Sequence, residues 1–232
     1  MKQDNRLRSW YDCTDADMCN ELITSIEEGL TITESQSRLL KFGYNELPSL
    51  PPRSVLKRLL SQLNNALILV LLAAAIATLF LGQITDSVII FGVILINTLI
   101  GFIQEGKAEK AIAAVHGMLS LHATVLRENK RMIIPASELV VGDLVLLQSG
   151  DKIPADLKLV RTKNLKINEA ILTGESNTVE KKIGVLASDT PLAEQTNMAF
   201  SGTLVTSGKG EGVVIATGVD TEIGKINQLL TQ

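Results

Sequence analysis

Apolar residues follow three different periods along this chain, and each change of period marks a change of structure. Met18, Leu22 and Ile26 lie on one helical face, predicting a helix from Asp15 to Glu28 that Thr14 or Asp15 caps and Gly29 ends. A second helix is predicted from Thr33, with Gln36 three residues on as a capping box, closing at Gly43. Pro48, Pro51 and Pro52 then deny helix to their neighbours and read as a linker. Two such short helices cannot bury a core alone and are expected to pack on something else.

The second regime is continuously apolar. No charged residue occurs from Leu59 to Thr85, and a second uncharged run extends from Ser87 to Gln104. Each is long enough, at a helical rise of about 1.5 Å per residue, to cross roughly 30 Å of hydrocarbon. Gly82 to Asp86 separates them, which predicts a tight antiparallel hairpin with spans near 63–82 and 87–104. Arg53, Lys57 and Arg58 precede the first run, Lys107 and Lys110 follow the second, and the connecting loop has no Lys or Arg. That asymmetry places both ends in the cytoplasm and the loop outside. Asn97 is the strongly polar side chain deep in the second run, suited to an interhelical hydrogen bond or to a transported ion. Met1 to Gln62 has no apolar core followed by a small-residue cleavage site, so the segment before the first run is expected to stay in the cytoplasm.

Past Gln104 the helical stripe continues through Ala108, Ala111, Ile112 and Val115 as a stalk. From Ala123 the period becomes that of strands. Ala123 to Arg127 and Arg131 to Pro135 pair around Glu128-Asn129-Lys130. Further strands are predicted at Leu144 to Gln148, Asp156 to Thr162, Leu165 to Asn168, Thr203 to Ser207 and Glu211 to Thr217. Gly142-Asp143, Gly150-Asp151 and Gly208-Lys209-Gly210 supply the turns. Short, regularly spaced strands indicate a compact sandwich or barrel. A last helix runs from Glu222 to Gln232 behind the cap Thr221. The fold class is therefore mixed: a small helical module, a two-helix membrane hairpin and a mainly-β domain.

Composition narrows the chemistry. A net charge of −3, a pI near 5.5 and only 3% aromatic residues argue against a nucleic-acid partner. Cys13 and Cys19 are too few for a disulfide framework and are not spaced as CxxC, so they read as reduced thiols. His116 and His122 stand far from any cysteine or carboxylate cluster, so no metal site is expected. Gly208-Lys209 is followed by Gly210 rather than a hydroxyl residue, so it is not a phosphate loop, and Ser176 lacks the second glycine of a nucleophile elbow.

The informative stretch is Asn168 to Lys182, where Thr173-Gly174-Glu175-Ser176 follows the apolar pair Ile171-Leu172. Such a loop can present one carboxylate on a β scaffold, with Gly174 allowing close approach; alone, it reads rather as an ordinary surface turn with a solvated glutamate. Leu139 to Val145, Gly150-Asp151-Lys152-Ile153-Pro154-Ala155-Asp156, Asn168 to Leu172, Gly101-Phe102-Ile103-Gln104-Glu105, and Gly29-Leu30, Gly43 and Asn45-Glu46-Leu47-Pro48 accompany it in order. In these motifs the chain resembles the P-type cation-transporting ATPases, of the calcium-type bacterial branch, along its full length. It departs from them at Asn177-Thr178-Val179-Glu180-Lys181, which lacks the proline of their T-G-E-S-x-P-V-x-K pattern.

The resemblance implies an N-terminal cation-ATPase module over residues 1–50, a transmembrane hairpin over 51–105 and a jelly-roll-like actuator domain over 106–232. It implies that Glu175 positions or deprotonates water at an aspartyl phosphate, with Thr173 shaping the loop and Gly174 permitting approach. The phosphorylated aspartate of D-K-T-G-T, the nucleotide domain and the main ion-liganding helices come later in that family, so the chain is expected to be inactive alone. ATP and Mg2+ are cofactors of a complete pump, with none expected in this chain. Membrane lipid and the phosphorylation and nucleotide domains are the implied partners. The rival readings are a truncated, membrane-anchored regulatory or interaction protein derived from such a pump, and a structural β-domain on a hairpin anchor with no catalytic history. Glu169 and Glu180 flank the loop and are expected to be bystanders to its chemistry.

Overall fold

A computed structural model describes residues 9–47, 66–118, 121–174 and 177–231. The helices are α1 (Asp15–Leu22), α2 (Ile32–Phe42), α3 (Ala66–Phe80), α4 (Ile84–Met118), α5 (Ala170–Thr173) and α6 (Glu222–Thr231). The strands are β1 (His122–Arg127), β2 (Lys130–Pro135), β3 (Leu144–Gln148), β4 (Asp156–Asn168), β5 (Thr178–Glu180), β6 (Met198–Ala199) and β7 (Leu204–Ala216). They fall into two compact units. One joins the stretch through α1 and α2 to everything from β1 onward; the other is α3 with α4. The predicted proline linker and the first residues of the first apolar run lie outside the described residues.

In the first unit all strands form one antiparallel sheet in the order β2-β1-β3-β7-β4-β5, with β6 beside β4. Glu128 and Asn129 both have positive φ, 51° and 58°, as a two-residue hairpin turn requires, and Lys130 already belongs to β2. The long strands differ from the sequence prediction. Asp156 to Thr162 and Leu165 to Asn168 are parts of one 13-residue strand, β4, and the two segments around Gly208-Lys209-Gly210 are parts of β7. The glycines mark a bend rather than a reversal. Asn164 (φ 51°) and Gly208 (φ 81°) face each other where the β4–β7 register shifts, and a Cβ on Gly208 would lie 2.1 Å from Asn164 O.

The bent sheet buries both faces. Val125, Val145, Leu147, Leu157, Leu159, Leu165, Ile167, Val205 and Val214 fill one core. Leu144, Val160, Val213 and Ile215, on the opposite side of the same strands, pack with Trp10, Met18 and Leu22 from the N-terminal stretch. This explains why β3 from Leu144 to Leu147, and the end of β7 from Val213 to Ala216, are unbroken apolar runs instead of alternating ones.

The N-terminal helices are shaped by that docking. Thr14 caps α1 by accepting the N–H of Asp17. The helix stops at Leu22, short of Glu28, because Ile23 adopts φ 49° and Thr24 Oγ1 donates to Gly142 O at 2.6 Å. The cap of α2 is Thr31, accepting from Glu34 N, rather than the pair Thr33 and Gln36. Glu34 then meets Arg38 Nε at 2.8 Å, while Arg38 Nη1 donates to Val141 O. Asn45 Nδ2 donates to Ala136 O and Pro154 O, and its Oδ1 accepts Gly218 N. The buried Lys158 donates to Cys13 O, burial holding its ammonium below its ordinary pKa.

In the second unit α3 and α4 pack together and are joined through Leu81–Gln83, so Asp86 lies in the first turn of α4 and not in the connecting loop. Its charge suits a helix N-terminus. The side chain bridging the helices is Ser87, whose Oγ donates to Ala75 O at 3.0 Å; Asn97 is exposed on α4. Residues 84–108 of α4 are long and apolar enough to cross a membrane, and the 15 described residues of α3 are shorter than such a span. The predicted stalk is continuous with α4, which stays helical to Met118.

Candidate functional site

The loop singled out in the sequence connects β4 to β5. Three register pairs hold its stem, Lys166 with Glu180, Ile167 with Val179 and Asn168 with Thr178. Thr178 occupies the place of the missing proline as a strand residue paired with Asn168. From Asn168 the chain enters α5, a single turn. Asn168 Oδ1 accepts Ala170 N at 3.0 Å, and Glu169 O accepts the N–H groups of Leu172 and Thr173 at 2.9 and 3.1 Å.

Thr173, half-buried, closes that turn, with its Oγ1 donating to Glu169 O at 3.2 Å. Gly174 follows at φ 75°, ψ −4°, donating its N–H to Ala170 O. A left-handed residue is needed here, and a Cβ at Gly174 would meet none of the described residues within 4 Å, so on their side it is open to an approaching group. Glu175 and Ser176 lie outside the described residues.

Sequence reasoning missed the base of the loop. Glu169, expected to be a bystander to the chemistry, is buried, and its Oε1 lies 2.6 Å from Nζ of the equally buried Lys181. Burial pushes the Glu169 carboxyl up and the Lys181 ammonium down, each opposed by the partner's charge. Lys181 also donates to Gln195 O at 3.2 Å and lies 5.7 Å from the Phe200 ring centroid. Only three dimensions reveal the pair, because the two residues are 12 positions apart around a turn. Glu180, by contrast, is exposed.

The neighbouring signature motifs are structural. Asp151 Oδ2 accepts Gln148 N and closes the turn after β3. Asp156, 3% exposed, accepts Ser201 N on Oδ1 and Glu222 N on Oδ2 at 2.8 and 2.7 Å. Desolvation pushes its carboxyl up to about 6, although both backbone N–H groups favour its ionised form. Asp143 forms a buried bidentate pair with Arg127 at 2.8 and 2.7 Å and accepts Val140 N. The loop base, through Phe200, and the last helix, through Asp156, are thus both attached to the segment Phe200–Ser201. Among the described residues no group of three or more His, Cys, Asp or Glu is placed to hold a metal.

Residues 117–231 match the family model described as the P-type ATPase actuator domain, and residues 10–78 match that of the cation transporter/ATPase N-terminus. The chain is 48% identical over 202 residues to a probable cation-transporting ATPase F of Mycobacterium tuberculosis, covering 87% of this chain and 22% of the relative. It is 45% identical over 212 residues to a cation-transporting ATPase of Synechocystis, covering 91% and 23%. It is 40% identical over 222 residues to a calcium-transporting ATPase of Bacillus subtilis, covering 95% and 25%. The chain spans about a quarter of the length of these curated relatives. With an actuator match over the sheet and α6, and a cation-ATPase N-terminus match running from the N-terminal helices into α3, the chain belongs to the P-type cation-transporting ATPase family.

Proposed function

We propose that this chain is the actuator-bearing part of an ATP-driven cation pump and that Glu175 promotes hydrolysis of the pump's aspartyl phosphate. The observation that carries the reading is the build of the loop: a buried base, a fixed turn ending in Thr173, and a left-handed Gly174 that none of the described residues obstructs. A carboxylate directly after such a glycine can be brought against a phosphoryl group on another domain. There it would orient water for in-line attack on phosphorus and accept its proton, while the bond to the aspartyl oxygen breaks and that carboxylate leaves. Placement and charge dominate such a step. ATP and Mg2+ would be bound by the phosphorylation and nucleotide domains of the complete pump, which are the partners of this loop.

In this reading the curled sheet is the jelly-roll-like actuator, and α3 and α4 belong to a membrane hairpin with both ends cytoplasmic. Exposed Leu67, Val70, Ile89, Leu95, Ile96 and Leu99 support it, since an aliphatic surface of that extent suits lipid better than water. Attachment of β4 to the start of α6 through Asp156 supports coupling of loop movement to the segment beyond α6.

The test is steady-state ATP turnover by a full-length pump carrying this chain. Glu175→Gln should abolish most turnover, whereas the exposed Glu180→Gln should retain it. Equal turnover in both variants would return the loop to an ordinary surface turn.

A further inference from the structure

An ion pair at the loop base is not needed to hold the hairpin together. Three register pairs already join β4 to β5, and two apolar side chains of similar size would pack there at lower desolvation cost. Yet Glu169 and Lys181 are both removed from solvent, and Glu169 Oε2 takes no hydrogen bond from the described residues. What the pair adds is direction. Its first member holds the turn with its backbone, since Glu169 O accepts Leu172 N, Thr173 N and Thr173 Oγ1. Its second member is immobilised independently, by Lys181 N on Leu165 O, by Nζ on Gln195 O and by the Phe200 ring. Rotation of the α5 turn about the end of β4 would therefore have to break a buried ion pair.

We propose that Glu169 and Lys181 form a positioning clamp that sets the direction in which the Ala170–Gly174 turn presents the residue after it. This inference rests on the reading that the loop acts at a phosphoryl group. Glu169 and Lys181 touch no substrate; they act through the turn. Because each partner's charge opposes the cost of burying the other, single neutralisation leaves the remaining buried group without its counter-charge and lowers stability, whereas joint neutralisation removes both charges. Stability and direction can thus be separated.

The experiment uses a full-length pump carrying this chain, with phosphoenzyme formation and decay measured in single-turnover chases and folding followed by thermal melting. The variants are Glu169→Gln/Lys181→Met and, as a milder displacement that keeps both charges, Glu169→Asp. The expected result is near-normal phosphorylation by ATP with decay slowed by about 10- to 100-fold, the range produced by misplacement of about 1 Å. The double variant should melt close to wild type. Wild-type decay in folded Glu169→Asp, or in the double variant, overturns the clamp. Should the double variant fail to fold, Glu169→Asp decides alone. Glu175→Gln, measured alongside, separates the two readings: slow decay there with wild-type decay in the clamp variants defeats only the clamp, and wild-type decay there defeats the loop's role itself.

Discussion

Asp156 accepts the backbone N–H of Glu222 at 2.7 Å, so the first residue of β4 holds the first residue of the last helix. Its other carboxylate oxygen takes Ser201 N at 2.8 Å. The bonds favour the ionised form, but burial outweighs them and raises the carboxyl to about 6. A carboxyl raised on folding binds protons more readily in the native state, so its stability contribution is present at low pH and lost as pH rises through about 6. Between pH 4.5 and 7 the change amounts to about 2 kcal/mol. Urea unfolding followed by fluorescence of Trp10, buried in this unit, should show wild type gaining on Asp156→Asn by about that amount on acidification. A difference that does not vary with pH would contradict the shift.

The V-G-D turn makes a second prediction. Asp143 is fully buried and its pair with Arg127 is bidentate. Asp143→Ala strands a buried guanidinium and should cost about 3–5 kcal/mol, read by the same unfolding curve. A loss below about 1 kcal/mol, the level of a surface pair, would show that water replaces the carboxylate.

How much of this was legible in the sequence depends on the range of the interaction. The β1–β2 hairpin and the strand Leu144–Gln148 are set by neighbours in sequence and legible there, as is the start of α1, where the structure chooses Thr14 over Asp15 as the cap. The end of α1 was not, because Thr24 is drawn to Gly142, 118 residues away. Gly208-Lys209-Gly210 looked like a reversal because the glycine signal is shared by turns and bulges, and only the β4–β7 register shift opposite Asn164 distinguishes them. At the loop, Thr173 and Gly174 announced themselves by motif. The burial of Glu169 was not legible, because a buried carboxylate looks no different in sequence from a solvated one. Lys181 completes the motif, but its ion pair with Glu169 appears only in the folded chain.

The hairpin reading predicts that the turn between α3 and α4 faces outward and the β-domain inward. Gln83→Cys and Glu180→Cys, each in a Cys13→Ser/Cys19→Ser background, place single thiols in that turn and on the exposed end of β5. An impermeant thiol reagent on intact cells should label the first and leave the second until the membrane is opened. The reverse pattern would overturn the orientation.

The most direct test of the account is the decay of the phosphoenzyme in Glu175→Gln. A full-length pump carrying this chain is phosphorylated from ATP, chased with unlabelled nucleotide and sampled for remaining acyl phosphate. If Glu175 places or deprotonates the attacking water, phosphorylation should proceed nearly as in wild type. Decay should slow by about 10²- to 10⁴-fold, so that phosphoenzyme accumulates. Decay of the Glu175→Gln phosphoenzyme at the wild-type rate, in a variant that phosphorylates normally, would contradict it.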